Sequence, residues 1–454
     1  MLQSIFIKNF KRFNHGQKID LKPLTIICGR NSSGKSTILQ SLLLMKQSIL
    51  SRKDDSAALS FAGPFLIRNG IKDFFHKGHN DCDETTFSFE YDNYEIEFVF
   101  KEMEKEDTTL TYVDKYSICC KKNVIISLKY DSGTNGYTLS NDSSIKKISS
   151  DKIRQVFNEK AAKVKFGMHG LMPRCQLSHI NLPLDILAIG NEDLKSDIIG
   201  IASTPNRLIG HLGGIRYLGP VRIAPQSLYV QYSDPQIDLG YNGENTAQLL
   251  WKKQNKPVAK GDKTFKDKIN YYLELLGISQ KITVARRENI VYSIDVSLEG
   301  NSKDKVPISD VGFGISQVLP VILNGLLTES GEIAIFEQPE IHLHPDCKSK
   351  LADFFIDLVK NDRQVIVETH STELIDKLRL RIIEDPALLN LINVIFVEPD
   401  SKNPNESLAY PIKLGEQGVL DKWPKGFCDT TAQLAYQIVL AKARKNRERE
   451  NVKH

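Results

Sequence analysis

The stretch Gly29-Arg30-Asn31-Ser32-Ser33-Gly34-Lys35-Ser36-Thr37 spaces two glycines so that the second is followed at once by a lysine and a hydroxyl. It fits G-x-x-x-x-G-K-[ST] at every defined position. Glycines at those places let the backbone turn its N–H groups inward as an anion nest, and a helix leaving the loop adds the positive end of its dipole. In such a loop Lys35 reaches the β- and γ-phosphates of ATP, and the Ser36 hydroxyl is an oxygen ligand for Mg²⁺. Residues Gly29 to Thr37 are therefore candidate nucleotide-binding residues, with ATP and Mg²⁺ as the cofactors they imply. A chance Gly/Ser turn would lack suitable flanks. Here the apolar run Leu24–Cys28 leads in as a buried strand, and an amphipathic helix pattern over Thr37–Leu50 leads out.

A second constellation lies in the C-terminal half. Gly331–Pro345 reads GEIAIFEQPEIHLHP, an apolar strand Ile333–Phe336 that ends in Glu337-Gln338-Pro339-Glu340. A strand that delivers a carboxylate at its C-terminal end is how a doubly wound sheet sets a Mg²⁺-water ligand beside a phosphate loop, so Glu337 joins Ser36 as the expected metal pair. A further apolar strand, Val365–Val367, ends in Glu368-Thr369-His370-Ser371, where His370 can contact the γ-phosphate or the attacking water. Each feature alone is explained by a capping carboxylate or a satisfied histidine. Loop, carboxylate strand and histidine strand in this order argue for one site. Ahead of them, Ser309–Gln317 (SDVGFGISQ) is a Ser/Gly-rich turn opening an apolar helix. Gly312, Gly314 and Ser316 make it a second anion-binding device, suited to a partner's ATP across a dimer interface. His342 and His344 of the HLH triplet have the spacing of a metal pair.

These residues need a sheet to carry them. Ser4–Phe10 alternates as a short strand, and 83–139 is rich in Thr, Tyr, Phe, Val and Ile at period two, which predicts an antiparallel β subdomain. The pattern turns helical over about 149–280, including Thr264–Leu276, and strands return over Lys281–Val296. No heptad run predicts a long coiled coil, and no internal repeat is present. The resulting division is an N-terminal lobe over 1–148, a mostly helical insertion over 149–298, a C-terminal lobe over 299–400 and an extension over 401–454.

Composition sets outer bounds. The chain has 454 residues, 41% apolar and 26% charged, with a net charge of +4. That balance permits nucleic-acid contact without demanding it. No uncharged apolar run approaches the roughly 20 residues of a membrane-spanning helix, and the longest candidate, Ile38–Leu50, carries Gln40, Lys46 and Gln47. Seven scattered cysteines without CxxC spacing read as reduced thiols. Together with a charged N-terminus unlike a signal peptide, this predicts a cytoplasmic protein.

With these motifs in view, the chain resembles the ABC-type ATPase heads of the SMC, RecF and OLD families. The resemblance implies an α/β fold, an ABC-type P-loop NTPase head with a mixed sheet. It makes Glu337 the Walker B carboxylate, His370 the switch histidine, Leu343-His344-Pro345 the D-loop and Gly312–Gln317 a divergent signature motif. The D-loop position argues against a metal role for His342 and His344. Gln338 stands where that pattern has its catalytic glutamate, and an amide cannot accept a proton at neutral pH. Either Glu340 or Glu337 polarises the water, or hydrolysis is slow; slow turnover is the preferred reading. NSSGKST, Tyr217–Arg222 (YLGPVR), GFGISQVLP, EQPEIHLHP and Trp423–Phe427 (WPKGF) are also similar to ATPase subunits of bacterial anti-phage defence systems, PARIS-type or Septu-type, with the PARIS-type preferred. A TOPRIM nuclease of the OLD kind is not expected. Val394–Asp400 (VIFVEPD) is followed by no D-x-D, and the D-x-D of the chain, Asp81-Cys82-Asp83, has no partner motif.

The resemblance thus implies a homodimer, or a higher homo-oligomer, closed by ATP and controlling a separate effector, expected to be a nuclease. DNA or a phage protein is the expected trigger, and no membrane is involved. The alternative is a RecF-like repair ATPase that binds DNA directly, with Lys253, Lys256, Lys260, Lys263, Lys266 and Lys268 as its basic patch.

Overall fold

A computed structural model of the chain describes residues 1–51, 58–67, 70, 73, 84–105, 108–120, 123–132, 136–139, 204–230, 238–298, 301–421 and 437–442. Its strands in chain order are β1 (Leu2–Lys8), β2 (Gln17–Asp20), β3 (Leu24–Gly29), β4 (Glu84–Tyr91), β5 (Tyr94–Lys105), β6 (Thr108–Cys120), β7 (Asn123–Asp131), β8 (Gly136–Leu139), β9 (Arg216–Leu218), β10 (Tyr229–Val230), β11 (Ile282–Glu288), β12 (Val291–Leu298), β13 (Asn301–Pro307), β14 (Ile333–Glu337), β15 (Gln364–Glu368), β16 (Ile392–Pro399) and β17 (Ser407–Ile412). The helices that matter here are α1 (Lys35–Leu50), α2 (Thr246–Lys253), α3 (Phe265–Leu275), α4 (Phe313–Leu327), α5 (Pro345–Lys360) and α6 (Thr372–Glu384).

A six-stranded sheet in the order β17-β16-β3-β15-β14-β9 occupies the centre. It is mixed: β16, β3, β15, β14 and β9 run parallel, and β17 returns antiparallel along β16. The apolar runs of its inner strands are continuous because both faces are covered. Ile26, Phe336 and Val367 point into a core built with Ile322, Leu351 and Leu374 from α4, α5 and α6. Their neighbours Ile27, Ile335 and Ile366 point the other way, into a second core shared with Leu39 and Leu42 of α1 and with the antiparallel sheet.

That second sheet, in the order β2-β1-β4-β5-β6-β7-β8, is antiparallel throughout. It contains the expected β subdomain, extended by β1 and β2 from the extreme N-terminus. The two sheets are fastened through Gln364, whose side chain accepts from the Leu2 amide at 3.0 Å and donates to the Leu2 carbonyl at 2.7 Å.

Helix α1 differs from its expected amphipathic form. It is sandwiched between the two sheets and is buried nearly all round, the condition of a helix with no solvent face. Its polar residues are used internally. Lys46 donates to the Ile215 carbonyl, and Gln47 bonds Phe65 and Leu66 of the loop that packs over it. Among the described residues no helix exceeds 16 residues, and none is long and apolar enough to cross a membrane.

Residues 204–298 are less helical than the pattern predicts. Besides α2, α3 and helical residues 204–213 they supply β9 to the central sheet and β10, β11 and β12 to a small third sheet completed by β13. Three residues of β9 are too few to show a period, so its place in the sheet cannot be read from spacing. The rest of the insertion, Asp81-Cys82-Asp83, Trp423–Phe427 and residues 443–454 lie outside the described residues.

Candidate functional site

Strand β3 delivers the chain into the loop, and the loop geometry explains its glycines. Gly29 has φ 145° and Gly34 has φ 98°, values that L side chains rarely adopt. A Cβ on Gly29 would lie 2.0 Å from the Val397 carbonyl oxygen of β16, and one on Gly34 would lie 2.6 Å from Ser407 Oγ of β17. The loop is thus pressed against the neighbouring strands. Ser407 holds it there, since its hydroxyl donates to the Ser33 carbonyl at 2.6 Å. Lys35 folds back over the nest, its Nζ donating to the carbonyls of Gly29 at 3.2 Å and Arg30 at 2.7 Å.

A cavity of about 490 Å³ opens over this loop, lined by Asn31–Thr37, Gln338, Glu368, His370, Lys11 and Arg12. The expected residues Asn31, Ser32, Ser33, Gly34, Lys35, Ser36, Thr37, Gln338 and His370 thus meet at one place, with the Gly29 and Arg30 carbonyls beneath them. Gly312, Gly314 and Ser316 are not among its lining residues. Gly312 precedes α4, a Cβ on Gly312 or Gly314 would meet open space, and Phe313 between them is 55% exposed. The turn therefore faces outward. Ser316 is turned inward, its hydroxyl donating to the Phe313 carbonyl at 2.7 Å.

Glu337 and Glu340 also lie off the cavity. Glu337 ends β14, which is separated from β3 by β15, and its Oε2 accepts from the Tyr217 hydroxyl of β9 at 2.6 Å. The Ser36 hydroxyl instead donates to Glu368 Oε1 at 3.1 Å. In this structure Ser36 bonds Glu368 and Glu337 bonds Tyr217, and no direct Ser36–Glu337 hydrogen bond is present. Glu340 is buried; its Oε1 accepts from Thr369 Oγ1 at 2.7 Å and from the His370 amide at 2.9 Å. These bonds make Glu340 the anchor of the His370 backbone, while its Oε2 is buried without a partner.

The turn after β14 is held from outside. Gln338 has φ 46°, its amide donates to the Glu368 carbonyl at 2.7 Å, and its own carbonyl accepts from Arg222 Nη2 at 2.7 Å. Burial pushes the Arg222 guanidinium down to about 10, opposed by the Glu340 carboxylate, so the arginine stays charged at neutral pH. His342 and His344 do not converge on a metal. His342 faces the Phe313 ring at 6.3 Å, and His344 caps α5 by accepting from the Asp346 amide at 3.4 Å.

Electrostatics follow burial. Glu368 is pushed up to about 7, first by burial and then by Glu337, against the Ser36 hydrogen bond and Lys35. Burial lowers Lys35, with Glu368 opposing, and burial followed by Lys35 lowers His370, which is neutral at pH 7. A site with a glycine nest, a buried lysine and a carboxylate whose Oε2 is buried without a partner is built to receive added charge. Those donors fit ATP and Mg²⁺: the nest and Lys35 suit phosphates, and the Ser36 hydroxyl and a carboxylate suit a hard cation.

Lys11 and Arg12 escaped sequence reasoning. Phe10 and Phe13 exchange two backbone hydrogen bonds at 3.0 Å and are both buried, which leaves the intervening Lys11-Arg12 at the tip of a tight turn beside the phosphate loop. Two apolar anchors flanking two cations (FKRF) were the available signal. Glu368 carries no signal of its own in the segment ETHS, where the histidine is the residue with recognisable chemistry.

The family model for the AAA ATPase domain matches residues 1–170 and 231–375, and so takes in the phosphate loop and both carboxylate-bearing strands. The chain belongs to the AAA ATPase domain family. As an AAA ATPase it binds and hydrolyses ATP. The match leaves out Tyr217 and Arg222, which brace the turn at Gln338, and Ser407, which braces the loop. No curated protein matches the chain. Among solved structures, the SMC head domain from Thermotoga maritima is 12% identical with a TM-score of 0.39, covering 91% of this chain and 99% of that one. The SmcHead bound to the C-winged helix domain of ScpA is 13% identical with a TM-score of 0.42, covering 91% and 98%. The Smc head domain with an extended coiled coil, bound to the C-terminal domain of ScpA derived from Pyrococcus furiosus, is 12% identical with a TM-score of 0.40, covering 91% and 96%.

Proposed function

We propose that this ATPase is an ABC-type head that acts as a slow ATP-gated latch. Two copies close on ATP and, in that state, hold or release a separate effector, a nuclease in an anti-phage setting. The observation that carries the reading is the cavity itself, which combines a complete phosphate loop with Gln338 where a catalytic acid is required.

Lys35 and the loop amides bind and orient the phosphates. Ser36, with a carboxylate from the strand ends, would hold Mg²⁺, which when bound neutralises charge on the β- and γ-phosphates. His370, neutral and fixed by Glu340 through its backbone, can hydrogen-bond a water or the γ-phosphate. Gln338 can orient that water but cannot take its proton, and loss of a general base costs about 10²–10⁴-fold in rate. Closure of two copies is supported by the outward-facing Gly312-Phe313-Gly314 turn, which leaves backbone N–H groups at the start of α4 free for a second molecule's phosphates.

The test is co-purification of the chain with its effector, with and without ATP, for wild type and Lys35→Ala. ATP-dependent association or release in wild type, lost in Lys35→Ala, is expected. If Lys35→Ala leaves assembly and cellular activity intact, the latch model is wrong. A RecF-like role would instead require a free basic groove. In the described cluster Lys268 pairs with Asp262 at 3.4 Å and Lys253 lies over the Phe265 ring, while Lys256, Lys260, Lys263 and Lys266 are exposed.

A further inference from the structure

We propose that Arg30 of one copy pairs with Asp310 of a second copy, so that each nucleotide cavity is flanked by a charge pair drawn from both chains. The proposal rests on the reading that two copies close on ATP, and names the contact that sets their register. Arg30 stands at the exposed tip of the phosphate loop, and its side chain does not line the cavity. The other cations around that cavity are engaged within their own chain. Lys11 bonds Gln40, Arg12 donates to the Pro404 carbonyl and to Ser407 Oγ, and Lys35 donates to the Gly29 and Arg30 carbonyls. Among the described residues the Arg30 guanidinium has no hydrogen-bond or ion-pair partner.

Asp310 is the complementary charge on the turn before α4. It lies two residues ahead of the Gly312 cap and is exposed. Among the described residues its carboxylate accepts only from the Ser309 hydroxyl at 2.9 Å, and no cation of its own chain pairs with it. A carboxylate beside a turn that receives phosphates repels them unless a cation answers it. When the Gly312-Phe313-Gly314 turn of one copy seats over the phosphates of the other, the free cation at the rim of that loop is Arg30. Phe313, exposed between two glycines on which a Cβ would meet open space, adds an apolar contact to the same face. A two-fold dimer makes the Arg30–Asp310 pair twice, once at each nucleotide. Opposite charges so placed fix register and reject wrong pairings.

The experiment is a charge-reversal cycle read as dimer affinity. Sedimentation velocity over a concentration series, with Mg²⁺ and a non-hydrolysable ATP analogue, gives the dimer dissociation constant of wild type, Arg30→Glu, Asp310→Lys and the double variant. The double variant should dimerise at least about tenfold more tightly than the two single effects predict when multiplied, the coupling of a close charge pair. Mixing supplies the second readout. Arg30→Glu chains mixed with Asp310→Lys chains form heterodimers with one original and one reversed pair, and these should be tighter than either variant alone. A loss confined to nucleotide binding or folding of one chain is not rescued by mixing. Additive single effects, or a mixture no tighter than its components, overturn the pairing. If wild type does not dimerise with the analogue, the closure reading itself fails and the inference falls with it. Should Arg30→Glu fail to bind the analogue, Arg30→Gln and Asp310→Asn take their places in the cycle. Non-additivity of about threefold or more then supports the pair, and additivity refutes it.

Discussion

Arg222 donates to the carbonyl of Gln338 at 2.7 Å, so the turn that carries Gln338 is gripped by a buried arginine from the segment after β9. The grip extends to Ile341, whose carbonyl accepts from Nη1 at 3.5 Å, and its charge sits beside Glu340. Glu340 in turn fixes the His370 amide. One arginine is therefore linked to both Gln338 and His370, which line the cavity.

Arg222→Ala should be destabilising, because it removes the charged donor to the Gln338 and Ile341 carbonyls. Loss of a hydrogen bond from a charged group costs about 1.5–3 kcal/mol. Urea unfolding of nucleotide-free protein measures this, and a loss below about 1 kcal/mol would show that the turn holds itself.

Gln338→Glu restores a carboxylate in the cavity. Steady-state hydrolysis should rise, by up to about 10²–10⁴-fold if the base alone limits turnover. No increase over wild type would mean that another step, or another base, sets the rate.

Ser407→Ala removes the hydroxyl that donates to Ser33 and accepts from Arg12 at 3.1 Å. The phosphate loop loses one brace worth about 0.5–1.5 kcal/mol, so ATP should bind roughly 2- to 10-fold more weakly. Unchanged affinity in a calorimetric titration would show that β17 does not help shape the loop.

Tyr217→Phe deletes the 2.6 Å hydrogen bond to Glu337. Leaving that part-buried carboxylate oxygen unpaired should cost about 1–3 kcal/mol. In a cycle with Glu337→Gln the two changes should be non-additive by about 0.5–3 kcal/mol. Simple additivity would indicate that the pair is incidental.

The phosphate loop, its strand and the two carboxylate-bearing strands were legible because their chemistry is local. A glycine spacing or an apolar run of five residues carries its own meaning. The antiparallel subdomain was visible for the same reason, through the period-two pattern of 83–139. What pairs across the sheet was not legible. Glu337 and Glu368 end similar strands, and only the order β3-β15-β14 decides which lies beside Ser36. Lys11, Arg12, Arg222 and Ser407 act from turns and edges distant in sequence, where no period or spacing marks them. Helix α1 misled for a physical reason: Lys46 and Gln47 suggest a wet face, yet both satisfy their polar groups inside the protein.

A latch of this kind requires that ATP join two copies of this chain. Sedimentation velocity of the purified protein, with and without Mg²⁺-ATP, measures it. A slower-sedimenting species should convert to a dimer on adding Mg²⁺-ATP, and the dimer should persist far longer in wild type than in Gln338→Glu. Lys35→Ala should not convert. A wild-type distribution unmoved by ATP, or equal dimerisation of Lys35→Ala, would contradict the latch.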